Sequence, residues 1–255
     1  MARHGPGPPG SGLTRRRLAV ESGWKRGGRP LRPELLDGMN EKTGLVSCSR
    51  CGAAAVCGFA AAALALLVPV VGARGEPTYS HVAQFISELG AVGAVHASVV
   101  AVAGFAPIGA LVLAFLAFAS GVLPRSRRRT AGVICLGAVG ASYLASAVFP
   151  CDAGCPSSGS FSQSVHNLFG LLEYAGALAG LLLLGAALRG WPAWRNLALA
   201  CVGSAALVGV GFVAMLVPEL GSFRGLSQRI SEVAIFSWLA YASFFLLRVG
   251  REAQA

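Results

Sequence analysis

Gln84-Phe85-Ile86-Ser87-Glu88, Gln228-Arg229-Ile230-Ser231-Glu232 and a looser copy, Gln163-Ser164-Val165-His166-Asn167, each stand beside the start of an apolar segment. Polar groups are costly at membrane depth, so a polar string repeated against apolar runs needs a use. Gln84 and Gln228 lie 144 residues apart, with the Gln163 string between them. Three such strings imply three helical hairpins with their polar groups gathered on one side.

The composition around the strings agrees. The 255 residues are 55% hydrophobic and 13% charged, with a mean hydropathy of +0.64. A soluble domain carries about a quarter charged residues. The apolar residues fall into six long blocks, at about 52–73, 97–123, 131–150, 166–188, 195–217 and 229–247. About 20 apolar residues suffice to cross the hydrocarbon core. The fold expected is an all-α integral membrane protein of six transmembrane helices paired as three hairpins. A helix running unbroken from 82 to 123 would be about 60 Å long, twice the core thickness. Gly90 and Gly93 offer a break, so residues 82–92 are expected to form a short outer interfacial helix before the second span. Pro107 is expected to kink that span.

The net charge of +10 is unevenly placed. Ten of the 21 Lys and Arg lie in residues 1–50, and the rest of the chain carries 11 basic against 7 acidic side chains. Nucleic acid is therefore not the expected partner; the lipid bilayer is. Arg125, Arg127, Arg128 and Arg129 follow the second segment, Arg189 and Arg195 flank the turn after the fourth, and Arg248 and Arg251 follow the sixth. Basic loops stay in the cytoplasm, so both termini are expected there, in a multi-pass plasma (inner) membrane protein. An excess of arginine over lysine, 19 to 2, fits a GC-rich bacterial genome.

Residues 1–47 are rich in Gly, Pro and Arg and are expected to form a disordered basic cytoplasmic arm. The transmembrane domain then covers 48–251. Thr14-Arg15-Arg16-Arg17-Leu18 lacks the apolar stretch of an export signal. Met39 is a second candidate start, and its use would leave residues 1–38 untranslated.

Several residues carry candidate chemistry. On a helix, positions i, i+3 and i+4 share a face, so each string presents Gln together with Ser-Glu or His-Asn. Glu173, seven residues after His166, continues that stripe about 10 Å deeper. It is the carboxylate well inside a segment, and such groups face a bundle interior or a wet cavity. Arg229 and Glu232 are spaced to pair. Cys151 and Cys155 flank Asp152 in a tight loop and suit a disulfide in an oxidising compartment. Asp152 and His166, with His81 and His96 behind them, are the metal-ligand candidates, although no H-x3-H or H-E-x-x-H pattern is present. Cys48-x-x-Cys51 stands alone as a redox motif. Cys57, Cys135 and Cys201 read as packing residues. Gly176 and Gly180 stand at GxxxG spacing, which serves close packing or dimerisation. No cofactor is legible.

Ile86-Ser87-Glu88-Leu89-Gly90 after the first segment, Phe149-Pro150-Cys151-Asp152 after the third, His166 opening the fourth and Gln228-Arg229 opening the sixth resemble the bacterial domain-of-unknown-function family 998. The resemblance covers roughly residues 50–250 and implies a multi-pass helical membrane fold, with no established chemistry. A remoter similarity is to membrane hydrolases of the alkaline ceramidase type, which use Ser, Asp and His at a metal site. The paired histidines that such enzymes show on a late helix are absent here.

These readings leave three functions open. An outward-facing polar pocket of Ser87, Glu88, Asp152, His166, Glu173, Gln228, Arg229 and Glu232 would bind a small polar solute or lipid headgroup. A metal-dependent hydrolase acting on lipid-like substrates would use His166 and Asp152, with Ser87 or a bound water as nucleophile. A structural or assembly protein would use the same residues only to lock helices together.

Overall fold

The computed structural model describes the backbone of residues 44–252 and the side chains of residues 49–252. Residues 2–43, with the candidate start Met39, and the Cys48 side chain lie outside the described residues; residues 44–47, expected in the disordered arm, instead form the first turn of a helix. Six helices carry the fold: α1 (Gly44–Gly72), α2 (Ala97–Ser120), α3 (Arg127–Val148), α4 (Phe161–Leu188), α5 (Arg195–Leu216) and α6 (Arg224–Glu252). All six are long and apolar enough to cross a membrane. Each packs against its neighbours in the chain, and α1 packs against α6, so the bundle closes into a ring. The chain is a multi-pass membrane protein by length and composition of these helices.

Local sequence sets the boundaries. Ser160 caps α4 by accepting a hydrogen bond from the Gln163 amide at 3.1 Å, and Ser126 caps α3 through the Arg129 amide at 3.1 Å. A serine at this position satisfies an amide that the first helical turn leaves without a partner. These caps extend α3 and α4 beyond the apolar blocks, and α6 likewise begins at Arg224 rather than near 229. Pro150 and Pro218 follow the ends of α3 and α5, where a missing N–H stops a helix. Pro107 is preceded by a local irregularity of the helix. Residues Val100–Phe105 of α2 widen into a π-helical turn, and the Ala106 amide reaches back to the Ala101 carbonyl. A wider turn moves the carbonyl that a proline ring would otherwise strike. The short helix before α2 is smaller than 82–92: a 3₁₀ turn, Ile86–Gly90.

Glycines set the helix spacing. A Cβ on Gly180 of α4 would stand 2.8 Å from the Leu136 amide and 2.9 Å from the Gly132 carbonyl of α3. One on Gly109 of α2 would stand 2.5 Å from the Gly140 carbonyl. The Gly176–Gly180 pair therefore serves packing inside the ring. Phe115, Trp238, Leu181 and Leu184 fill the interior, and the Trp238 indole donates to Cys201 Sγ at 3.2 Å.

Because backbone stands opposite Gly180, Gly180→Ala is expected to destabilise the detergent-solubilised protein by about 1–3 kcal/mol. Gly170→Ala, on the same helix with open space around it, should change stability by less than about 0.5 kcal/mol. Thermal unfolding followed by circular dichroism compares the two.

Candidate functional site

Segments 73–96, 149–160 and 217–223 share one face of the ring, and all three polar strings lie there. Their similarity is one of position, since each folds to a different use. In Gln84–Glu88, the Glu88 carboxylate accepts from the Phe85 amide at 2.9 Å and from Gln84 Nε2 at 3.0 Å, capping the 3₁₀ turn. Arg224 completes the arrangement with an ion pair to Glu88 at 2.9 Å, and it stacks 4.7 Å above the Phe85 ring. In Gln163–Asn167, fully buried Gln163 accepts from the Asp152 amide at 2.7 Å and donates to Asn167 Oδ1 at 2.7 Å. Asn167 in turn donates to the carbonyls of Pro156 and Ser157, both at 3.1 Å. This string ties down the loop between α3 and α4.

Gln228–Glu232 holds the centre. Glu232 Oε1 accepts from the Tyr174 hydroxyl at 2.7 Å and Oε2 from the Tyr143 hydroxyl at 2.9 Å. Gln228 donates to the Tyr174 oxygen at 3.1 Å and accepts from the Ile86 amide at 2.6 Å. One carboxylate thereby joins α3, α4 and α6, and its glutamine neighbour adds the 3₁₀ turn. Tyr143 is held edge-on between Phe105 of α2, 5.8 Å away, and Phe236 of α6, 5.7 Å away.

Glu173 stands beside this knot, within hydrogen-bonding reach of the Glu232 carboxyl. Only 7% of it is exposed, and among the described residues its Oε1 is the buried side-chain oxygen or nitrogen without a hydrogen-bond partner. A cavity of about 30 Å³ adjoins it, bounded also by Ser87, Tyr143, Ser146, Gln228 and Glu232. That is room for one or two groups the size of water. From α2 and α5, Phe105 and Phe212 face the cluster with apolar rings.

The eight expected pocket residues therefore divide. Ser87, Glu173, Gln228 and Glu232 line the cavity, while Glu88, Asp152, His166 and Arg229 do not and are held in separate structural contacts. The expected Arg229–Glu232 pairing is corrected. Arg229 instead donates to the carbonyls of His81 at 2.7 Å, Gln84 at 3.0 Å and Gly225 at 3.0 Å, to the Tyr79 hydroxyl at 2.6 Å and to His81 Nδ1 at 3.0 Å. The loop carbonyls draw it away from the carboxylate one turn below. Burial, foremost, raises the Tyr79 phenol above its ordinary value, with the Arg229 hydrogen bond opposing.

Asp152 and His166 have separate partners. Ser160 engages Asp152 through its amide at 2.9 Å and its hydroxyl at 2.8 Å, and these two bonds hold the carboxyl below its ordinary value. His166 Nδ1 lies 3.0 Å from the Phe149 carbonyl. Cys151 and Cys155 are joined by a disulfide, and Ser87 Oγ lies 3.5 Å from Cys155 Sγ. Among the described residues, the one set of three possible metal-ligating side chains whose ligand atoms come within 4.8 Å is Cys151, Cys155 and His166. Asp152 is not part of it.

Tyr143, Tyr174, Ser146 and Arg224 were not marked by the sequence reading. Tyr174 had a usable signal: it adjoins Glu173 in an apolar span, where a phenol needs a partner. Arg224 precedes the last apolar block and carries no such signal in the sequence.

The family model described as "Protein of unknown function (DUF998)" matches residues 59–244, and the chain belongs to that family. No curated protein and no solved structure gives a match.

The His81 contact has a pH signature. Arg229 can donate to Nδ1 only while that nitrogen lacks a proton, and burial, followed by the Arg229 charge, holds His81 below the ordinary imidazole value. Its contribution is complete above about pH 6.5 and is lost as the pH falls through the lower folded-state value. Relative to the intrinsic exchange rate at each pH, the protection of amides in residues 79–84 is expected to fall over that descent in the wild type and to change less in His81→Gln.

Proposed function

We propose that this member of the DUF998 family binds one monovalent cation, a proton or a sodium ion, at the Glu173–Glu232 pair inside the helical ring. The reading rests on the unpartnered Glu173 Oε1 beside a water-sized cavity. Two carboxyl groups buried in contact need positive charge between or beside them. Arg229, the basic side chain nearest in sequence, is committed to loop carbonyls, and Arg224 to Glu88. The groups that remain near the cavity are oxygen donors, which suit a proton or a hard cation.

This narrows the small polar solute expected from sequence, because a cavity of about 30 Å³ admits water or an ion but no headgroup. The positively charged loops support an orientation with both termini in the cytoplasm and the string-bearing face outside. The site would then be reached from outside, beneath the Ile86–Ser87 turn. The hydrolase reading gains no comparable support. Its two proposed ligands, Asp152 and His166, are held by Ser160 and the Phe149 carbonyl.

Thermal unfolding of the purified protein tests the proposal, since a ligand bound only by the folded state shifts the midpoint with its concentration. A proton site makes the wild-type midpoint pH-dependent through Glu173, and a sodium site makes it respond to sodium against choline at fixed pH. Glu173→Gln is expected to abolish a sodium response, or to remove from the pH response the part that His81 and Asp152 do not supply, while remaining folded. A wild type indifferent to sodium, with a pH profile that Glu173→Gln leaves intact, would contradict the proposal.

A further inference from the structure

A second cavity lies on the outside of the ring, in the groove between α1 and α2. Its volume is about 460 Å³, in the range of sites that take an organic molecule. Leu64, Leu67, Val68 and Val71 of α1 form one wall, and Val99 and Ala103 of α2 contribute to the other. The helices touch along the groove floor. A Cβ on Gly104 would stand 2.9 Å from Val68 Cγ2, and one on Gly72 would stand 3.1 Å from Val100 Cγ2. Gly104 and Val100 belong to the π-helical turn, so the same local irregularity that accommodates Pro107 shapes the groove. Such turns recur at functional sites.

One end of the groove is cationic. Arg74 and His96 close it on the string-bearing face, just past the last residue of the α1 span, Gly72. Arg74 is exposed, and among the described residues its guanidinium has neither a hydrogen bond nor an ion pair; only its backbone amide is engaged, by the Val71 carbonyl at 3.1 Å. The nearby Glu76 carboxylate is engaged by the Val95 amide at 2.5 Å. An apolar trough ending in an available guanidinium where the apolar span stops matches an amphiphile with an anionic head.

We propose that the α1–α2 groove binds an anionic phospholipid, one acyl chain in the trough and the phosphate at Arg74 and His96. The site is separate from the cavity at Glu173 and stands or falls independently of the cation proposal. A neutral or zwitterionic lipid lacks the net charge that Arg74 selects. A second copy of the chain would fill the trough but leave the guanidinium without a counter-charge.

Native mass spectrometry of the full-length protein, titrated with phosphatidylglycerol or with phosphatidylcholine of identical chains, tests this. The wild type is expected to retain phosphatidylglycerol preferentially, and Arg74→Gln to reduce that preference about five-fold. Ala103→Phe, which places a ring in the trough, should weaken retention of phosphatidylglycerol with Arg74 intact. Equal retention of the two lipids by the wild type would overturn the proposal. So would a preference that survives Arg74→Gln, or a dimer that excludes lipid from the groove. Arg74 is an exposed turn residue, so its variant is informative even if Ala103→Phe fails to fold.

Discussion

The Glu232 carboxylate is the interaction on which the upper half of the ring depends. Its two oxygens accept phenolic hydroxyls from two different helices, at 2.7 Å and 2.9 Å. In hydrocarbon, the hydrophobic effect contributes little to helix association, so packing and polar contacts between helices select their arrangement. Glycine contacts bring α2 to α3 and α3 to α4 at backbone distance, but close packing is weakly directional. The carboxylate–phenol knot supplies direction, because each phenol reaches its oxygen at only one rotation of its helix. Gln228, one turn earlier, carries the same constraint out to the Ile86 amide. The interior knot and the loop cap are thus parts of one network.

The cap explains why arginines sit on a face otherwise poor in them. Residues 73–96 cross the end of the ring with little regular structure, so their carbonyls need partners. Arg229 takes two of these carbonyls, at His81 and Gln84, and Arg224 takes Ala83 at 3.1 Å. Gly225 lies against the Gln84 backbone so closely that a Cβ there would overlap it. Opposite, Gln163, Asn167, Ser160 and the Cys151–Cys155 disulfide hold the loop between α3 and α4, and the Val92 amide donates to the Cys151 carbonyl at 2.9 Å. The roof over Glu173 is therefore assembled from both loops. Glu173 alone in this network keeps an oxygen without a partner.

Much of the architecture was legible because the membrane imposes it. Apolar blocks of spanning length, basic loops in alternation and polar strings beside three of the blocks follow from lipid as solvent, and each is a local property of the chain. Glu173 stood out for the same reason. The pairing of Glu232 did not, because it depends on which helices meet. The spacing of Arg229 and Glu232 favours an ion pair on an isolated helix. The phenols of Tyr143 and Tyr174 come from 89 and 58 residues away, and loop carbonyls nearer to Arg229 claim its guanidinium. The π-helical turn was hidden likewise: Pro107 announces a disturbance, but the sequence does not say that Val100–Phe105 take it up as a wider turn.

A double-mutant cycle between Tyr174→Phe and Glu232→Gln, read as unfolding free energy in a fixed detergent, measures the knot most directly. A coupling between the two sites of about 1 kcal/mol is expected, with the double variant closer to either single variant than their separate effects imply. Strictly additive effects would mean that the carboxylate does not hold the helices as described, and the network would lose its centre.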